Sequence, residues 1–145
     1  PDGRIGIGVL HTWESLVSVD ELMIAKDIKM YADQFRPRQI LHDKYATQSI
    51  ADRLTNAGQM LVDVSGAQFY QACSDLLDAT VNQRWVHNGQ DLLITQFANV
   101  AAKTNDSSWR IVKRQSAGSV AIPISVAMAI STLMKPQQVA MIYSE

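Results

Sequence analysis

Between Arg38 and Gly58 the chain reads RQILHDKYATQSIADRLTNAG, and no other stretch limits the fold as strongly. An apolar pair, Ile40-Leu41, runs into His42-Asp43, and a helix-like segment follows almost at once. A short strand that hands a carboxylate to a helix is one half of a βα unit. Open α/β sheets keep their chemistry at the carboxyl ends of such strands. Asp43 is therefore the first candidate for a functional site, set against the plainer role of a helix cap.

The flanking sequence repeats the unit. Residues 4–13 (RIGIGVLHTW) alternate apolar and small residues after the turn-like Pro1-Asp2-Gly3 and read as a strand, expected as the antiparallel remnant of a hairpin. Ser18-Val19-Asp20-Glu21 fits a capping box, and Ile24, Ile28, Tyr31 and Phe35 then fall on one helical face. Arg36-Pro37 ends that helix, because a residue before proline disfavours the α region. Residues 39–43 form the next strand; Thr47 is expected to cap a short helix with Ile50, Leu54 and Ala57 inward, stopped by Gly58.

Residues 60–64 read as a strand ending near Asp63, and 68–80 as a helix burying Phe69, Cys73 and Leu76. A short extended piece at 85–89 precedes a helix at 92–102 that Asp91 caps, with Leu93, Phe97, Val100 and Ala101 on one face. Residues 103–108 read as a polar loop, 109–115 as a strand, and 124–134 as a small-residue helix ending before Pro136. Residues 136–145 form a tail expected to dock on the domain or to belong to a contact outside it. Strands alternating with helices imply an α/β fold with parallel neighbours.

Composition narrows the class. A chain of 145 residues, 47% hydrophobic and 19% charged, is expected to form one globular domain over its whole length. Its net charge of −1 supplies no overall field for a polyanion but leaves room for a local basic face. The single cysteine, Cys73, allows no internal disulfide, suits a reducing compartment and is expected in the core. The longest apolar run, near residues 120–134, is broken by Pro123 and too short to span a bilayer, so no membrane partner is expected. His11 and His87 lack cysteine or glutamate at ligand spacing, which argues against zinc.

Charge is concentrated in one place. Arg110, Lys113 and Arg114, with Lys103 just before them, are the densest basic cluster, and Lys44 adjoins Asp43. The cluster reads either as a solvated strand face or as a phosphate track, since cationic side chains supply most sequence-independent DNA affinity. Trp13, Trp85 and Trp109 read as packing anchors.

Three segments carry a family resemblance: FRPRQILHDKYATQSIADRLTNAG, FYQACSDLLDATVNQRWVHNGQDLLITQFANVA and WRIVKRQSAGSVAIPISVAMAIS. In order and spacing they resemble the C-terminal nuclease domain of tailed-bacteriophage large terminase subunits, which is RNase H-like. The resemblance implies a mixed sheet with flanking helices, the family's first strand falling before Pro1. It also implies an endodeoxyribonuclease that cuts concatemeric double-stranded DNA with Mg2+ or Mn2+ in a two-metal site. Its partners would be the terminase ATPase domain, the small terminase subunit and the portal, in the host cytoplasm.

Carried over by position, Asp43 matches the family acid at the end of the central strand. The family acid before the last helix falls on Ala121 within Ser119-Val120-Ala121-Ile122. Asp63 and His42 are the nearby candidates for substitute metal ligands. With the carboxylate set incomplete, a weak or inactive nuclease is expected. The alternative is a non-catalytic DNA-binding or assembly module on the same fold; a small-molecule α/β enzyme with a closed apolar pocket is a third reading.

Overall fold

Strand β1 (Ile5–Ile7) is followed by α1 (Glu21–Phe35), β2 (Ile40–His42), α2 (Lys44–Asn56), β3 (Leu61–Asp63) and α3 (Ala67–Val81). Then come β4 (Trp85–His87), α4 (Asp91–Ala98), β5 (Ala101–Asn105), β6 (Ser108–Val112) and α5 (Ala121–Met134). The structure is a computed structural model that describes residues 3–14, 17–105, 108–113, 116 and 118–135. The expected turn at Pro1-Asp2, Arg114 and the tail 136–145 lie outside the described residues.

Among the described residues the strands pair two by two: β2 with β3 and β1 with β4 in parallel, and β5 with β6 antiparallel. Parallel pairing needs a long crossover. Helix α2 supplies it between β2 and β3. The opening strand is thus parallel to β4, not the antiparallel hairpin remnant that its sequence suggested. Only Ile5–Ile7 joins a ladder, because the Gln90 side chain takes over at Val9: its Oε1 accepts the Val9 N–H at 2.8 Å and its Nε2 donates to the Val9 carbonyl at 3.0 Å.

Helix ends differ in detail from the sequence reading. Asp20, not Ser18, caps α1, its Oδ1 accepting the Leu22 and Met23 amides at 3.1 and 3.2 Å. Ala25 and Ala32 join Ile24 on the buried face, while Phe35 is 55% exposed. Arg36 closes the helix in the left-handed region at φ 49°, so the chain turns before Pro37 as expected. Helix α4 is capped at Gln90 with no side-chain bond and stops at Ala98, so Val100 and Ala101 leave it. The expected polar loop at 103–108 is for the most part a strand pair, with β5 running to Asn105 and β6 starting at Ser108.

The main core is built on α3 and α5. Ala72, Cys73, Leu76 and Ala79 meet Ile122, Val126, Ala127 and Ile130, with Ile111 of β6, Leu93 of α4 and half-buried Leu41 and Trp85 against them. Small residues on α3 let the helices approach closely. Ser131 on α5 donates to Asp75 Oδ2 on α3 at 2.6 Å, which satisfies a hydroxyl that would otherwise be stranded. Pro123 falls in the first turn of α5, where its missing N–H costs no hydrogen bond. The buried Gln96 places Oε1 2.8 Å from the Ile122 amide and so serves as a cap from another helix. A smaller core joins α1 to α2 through Ile24, Ala25, Ile50 and Leu54.

Candidate functional site

The register of the parallel pair sets the site. Ile40 lies beside Leu61, Leu41 beside Val62 and His42 beside Asp63, so β2 and β3 end together and Asp43 follows one residue later. Both candidate acids therefore reach the carboxyl edge of one ladder, as the strand patterns suggested. Each also has a local structural task. Asp43 is the N-cap of α2, its Oδ1 accepting the Tyr45 amide at 2.9 Å. Thr47 is not the cap; it sits at a kink inside α2, at φ −136°. Its hydroxyl lies 2.9 Å from the Asp43 carbonyl, to which it donates, and 3.4 Å from His42 Nδ1.

Asp63 accepts the Lys44 amide at Oδ1, 2.8 Å away, and the Ser65 hydroxyl at Oδ2, 2.7 Å away. Burial works against its ionisation. The Ser65 and Lys44 hydrogen bonds and the charges of Lys44 and His42 outweigh that, so the carboxyl sits below its usual range.

A hollow of about 490 Å³ opens beside this edge. Asp43, Tyr45 and Ala46 line it from α2, Phe69 from α3 and Ile124 from α5. Lys103, Arg110, Ile111, Val112 and Lys113 line it from the β5–β6 hairpin and the residue after it. Lys103 and Arg110 are directly opposite each other on the antiparallel ladder. Arg110 also lies over the Tyr70 ring, its guanidinium carbon 5.9 Å from the centroid. The exposed Lys44 ammonium sits 5.2 Å from the Tyr45 ring centroid. None of Lys103, Arg110 and Lys113 has an ion-pair partner among the described residues.

The hollow thus gathers one of the candidate acids and three of the candidate cations. Lys103 reaches it only because β5 exists, and β5 is the element that the sequence reading took for a loop. The available signal was the Ala101-Ala102-Lys103-Thr104 run leading to the turn-forming Asn105-Asp106 before a second alternating segment. Nothing in the sequence marks Tyr45 or Ile124, and Phe69 reads there only as a core residue, since an aromatic or isoleucine carries no site signal by itself.

Ala121 is not among the residues that line this hollow. It is exposed at the start of α5 and lines a second hollow of about 450 Å³ together with residues 7–14, Ile28, Tyr31, Gln96, Ile122, Ser125, Val126 and Ala129. His11 stacks on Trp13 there, the ring centroids 4.4 Å apart. Trp13 Nε1 donates to Asp27 Oδ2 at 2.9 Å.

By themselves the described residues do not complete a ligand set for a pair of divalent ions. Two hard cations need several oxygen ligands each. At this edge there are two carboxylates among the described residues, and three of their four oxygens, Asp43 Oδ1, Asp63 Oδ1 and Asp63 Oδ2, already accept amide or hydroxyl hydrogen bonds. Among the described residues no group of three or more His, Cys, Asp or Glu side chains is placed to hold a metal ion. Three cations share the adjoining hollow, and they favour an anion over a dication. No described helix is long and apolar enough to cross a membrane.

No protein-family model matches the chain, and no curated protein matches it. Two solved structures resemble it. One is the HK97 bacteriophage large terminase, with a TM-score of 0.67 and 17% identity over 79% of this chain and 25% of that one. The other is the large terminase nuclease from thermophilic phage G20c, with a TM-score of 0.64 and 15% identity over 79% of this chain and 63% of that one. The chain spans a quarter of the first and less than two thirds of the second. The α/β arrangement of helices and short strands in this chain thus shares the fold of these phage large-terminase structures.

Proposed function

We propose that this chain is a DNA-engaging domain of a phage DNA-packaging terminase, holding the backbone of double-stranded DNA and cleaving it weakly or not at all. The observation that carries this is the cationic hollow beside Asp43. Like charges directly opposite on an antiparallel ladder destabilise it. Lys103 and Arg110 occupy such positions, with Lys113 at the same hollow. An anion lying between them turns that repulsion into attraction, and a phosphodiester backbone offers one anion after another. Lys44, and Arg114 next to Lys113 in the sequence, extend the same track in this reading. The terminase ATPase domain, the small subunit and the portal are the protein partners it implies, in the host cytoplasm.

Fluorescence anisotropy on a blunt duplex tests the proposal. Three phosphate contacts imply an affinity that falls about 40-fold between about 50 and about 200 mM salt. Absence of binding at the lower salt would sink it. The two acids at the end of β2 and β3 favour a second reading, a metal-dependent endonuclease using Mg2+ or Mn2+ at Asp43 and Asp63. Robust manganese-dependent plasmid cleavage that Asp43→Asn abolishes would replace binding alone with that reading.

A further inference from the structure

The hollow beside Asp43 has more than a charged rim. Its interior is apolar: Ile111 and Val112 are buried, Phe69 and Ile124 are half-buried, and Tyr45 stands at the edge 79% exposed. A duplex backbone makes no use of such a floor. Its phosphates lie on the outside of a cylinder about 20 Å across that cannot enter the hollow, and its bases are stacked on one another out of reach. At about 490 Å³ the hollow falls in the size range of pockets that take small organic ligands.

From this we infer that the pocket accepts a single unpaired nucleotide, as at a frayed end, an overhang or a single strand. The phosphate lies on Lys103, Arg110 and Lys113, and the base enters against Phe69 and Tyr45. Base-on-aromatic stacking tolerates any sequence, because every base presents a π-face. Asp43 is the one carboxylate among the described residues of the wall, and it repels a phosphate but accepts from the amino group of a base edge. The inference rests on the nucleic-acid reading of the same pocket and narrows it to a class of DNA end.

Anisotropy on three probes of equal strand length, a blunt duplex, the same duplex with a short unpaired overhang, and a single strand, separates the two. The overhang is expected to bind about tenfold tighter than the blunt duplex at the same salt, the effect of one stacked base. A 2-aminopurine placed in the overhang should lose fluorescence on binding. Tyr45→Ala, at a side chain exposed enough to spare the fold, and Phe69→Leu should each bring the overhang-to-blunt ratio toward one. Equal affinity for blunt and overhang probes overturns the inference and leaves the backbone reading standing. So does a preference that survives both substitutions. Failure to bind any of the three probes overturns both.

Discussion

Two hollows of similar size, about 490 and about 450 Å³, lie on this molecule, both with apolar walls but differing in charge. The first joins the end of β2 to the β5–β6 hairpin and carries Asp43, Lys103, Arg110 and Lys113 around an apolar floor. The second lies between residues 7–14, α1 and α5 and is lined by Ile7, Val9, Ile28, Ile122 and Val126, with Ala121 at the helix start. The two sequence positions that the terminase resemblance pairs as acids, Asp43 and Ala121, line different hollows. On the proposed reading, binding by charge belongs to the first, whereas Ile122 and Val126 in the wall of the second also pack in the main core. Substitutions in one should leave the other's property unchanged.

The largest effect is expected on stability from the second hollow. Ile122 is 5% exposed and also packs in the main core, so Ile122→Ala should cost about 3 kcal/mol in chemical denaturation. Well below the melting point it should not alter the salt dependence of DNA binding. The reverse pattern is expected at the first hollow. Replacing Lys103, Arg110 and Lys113 together by alanine should weaken duplex binding about a hundredfold at low salt and flatten its salt slope, with stability unchanged or slightly raised. Equal losses of stability and binding in both variants would dissolve the distinction.

Asp43 separates its two roles by a pair of substitutions. Asp43→Ala should lose about 1 kcal/mol by removing the cap on the Tyr45 amide, whereas Asp43→Asn keeps a side-chain acceptor and should lose much less. Both should tighten DNA binding, because each removes the negative charge from the pocket.

Ala121→Asp tests the partition most directly. A carboxylate in the first turn of α5 should stabilise by about 0.5 kcal/mol through the helix dipole and give no manganese-dependent cleavage. Appearance of cleavage would show that the two hollows act as one site.

The smallest effect is at Asp63. Its folded pKa lies below the ordinary value of 3.8, so it binds its proton more weakly when folded. That contribution to stability is present above the ordinary value and is lost as pH falls through the lower folded one. The melting temperature of Asp63→Asn should therefore fall less than that of the parent protein between about pH 5 and about pH 2.

Much of this architecture is readable in the residues. The apolar pair before Asp43, the Arg36-Pro37 stop and Gly58 at φ 90° mark element boundaries by local sterics, which depend on a few neighbouring residues only. Cys73 and Leu76 were legible as core from their helical spacing, and both are buried. Local rules misled where a distant group took over. Gln90 replaces the ladder that residues 4–13 seemed suited to make, and Gln96 caps α5 across the core. Strand β5 was hidden because alanine, lysine and asparagine have weak strand preference, and its stability comes from pairing with β6.

By itself, then, the sequence determined the order of strands and helices except for β5, the carboxylates at the ends of β2 and β3, and a basic cluster near the C-terminal third. Those features follow from periodicity and turn chemistry, which act over short distances along the chain. Only the tertiary structure decided that Lys103, Arg110 and Lys113 share a hollow with Asp43 and that Ala121 lines another. Side chains far apart in sequence become neighbours through strand register and helix packing, and charge acts across space with no regard to position in the chain.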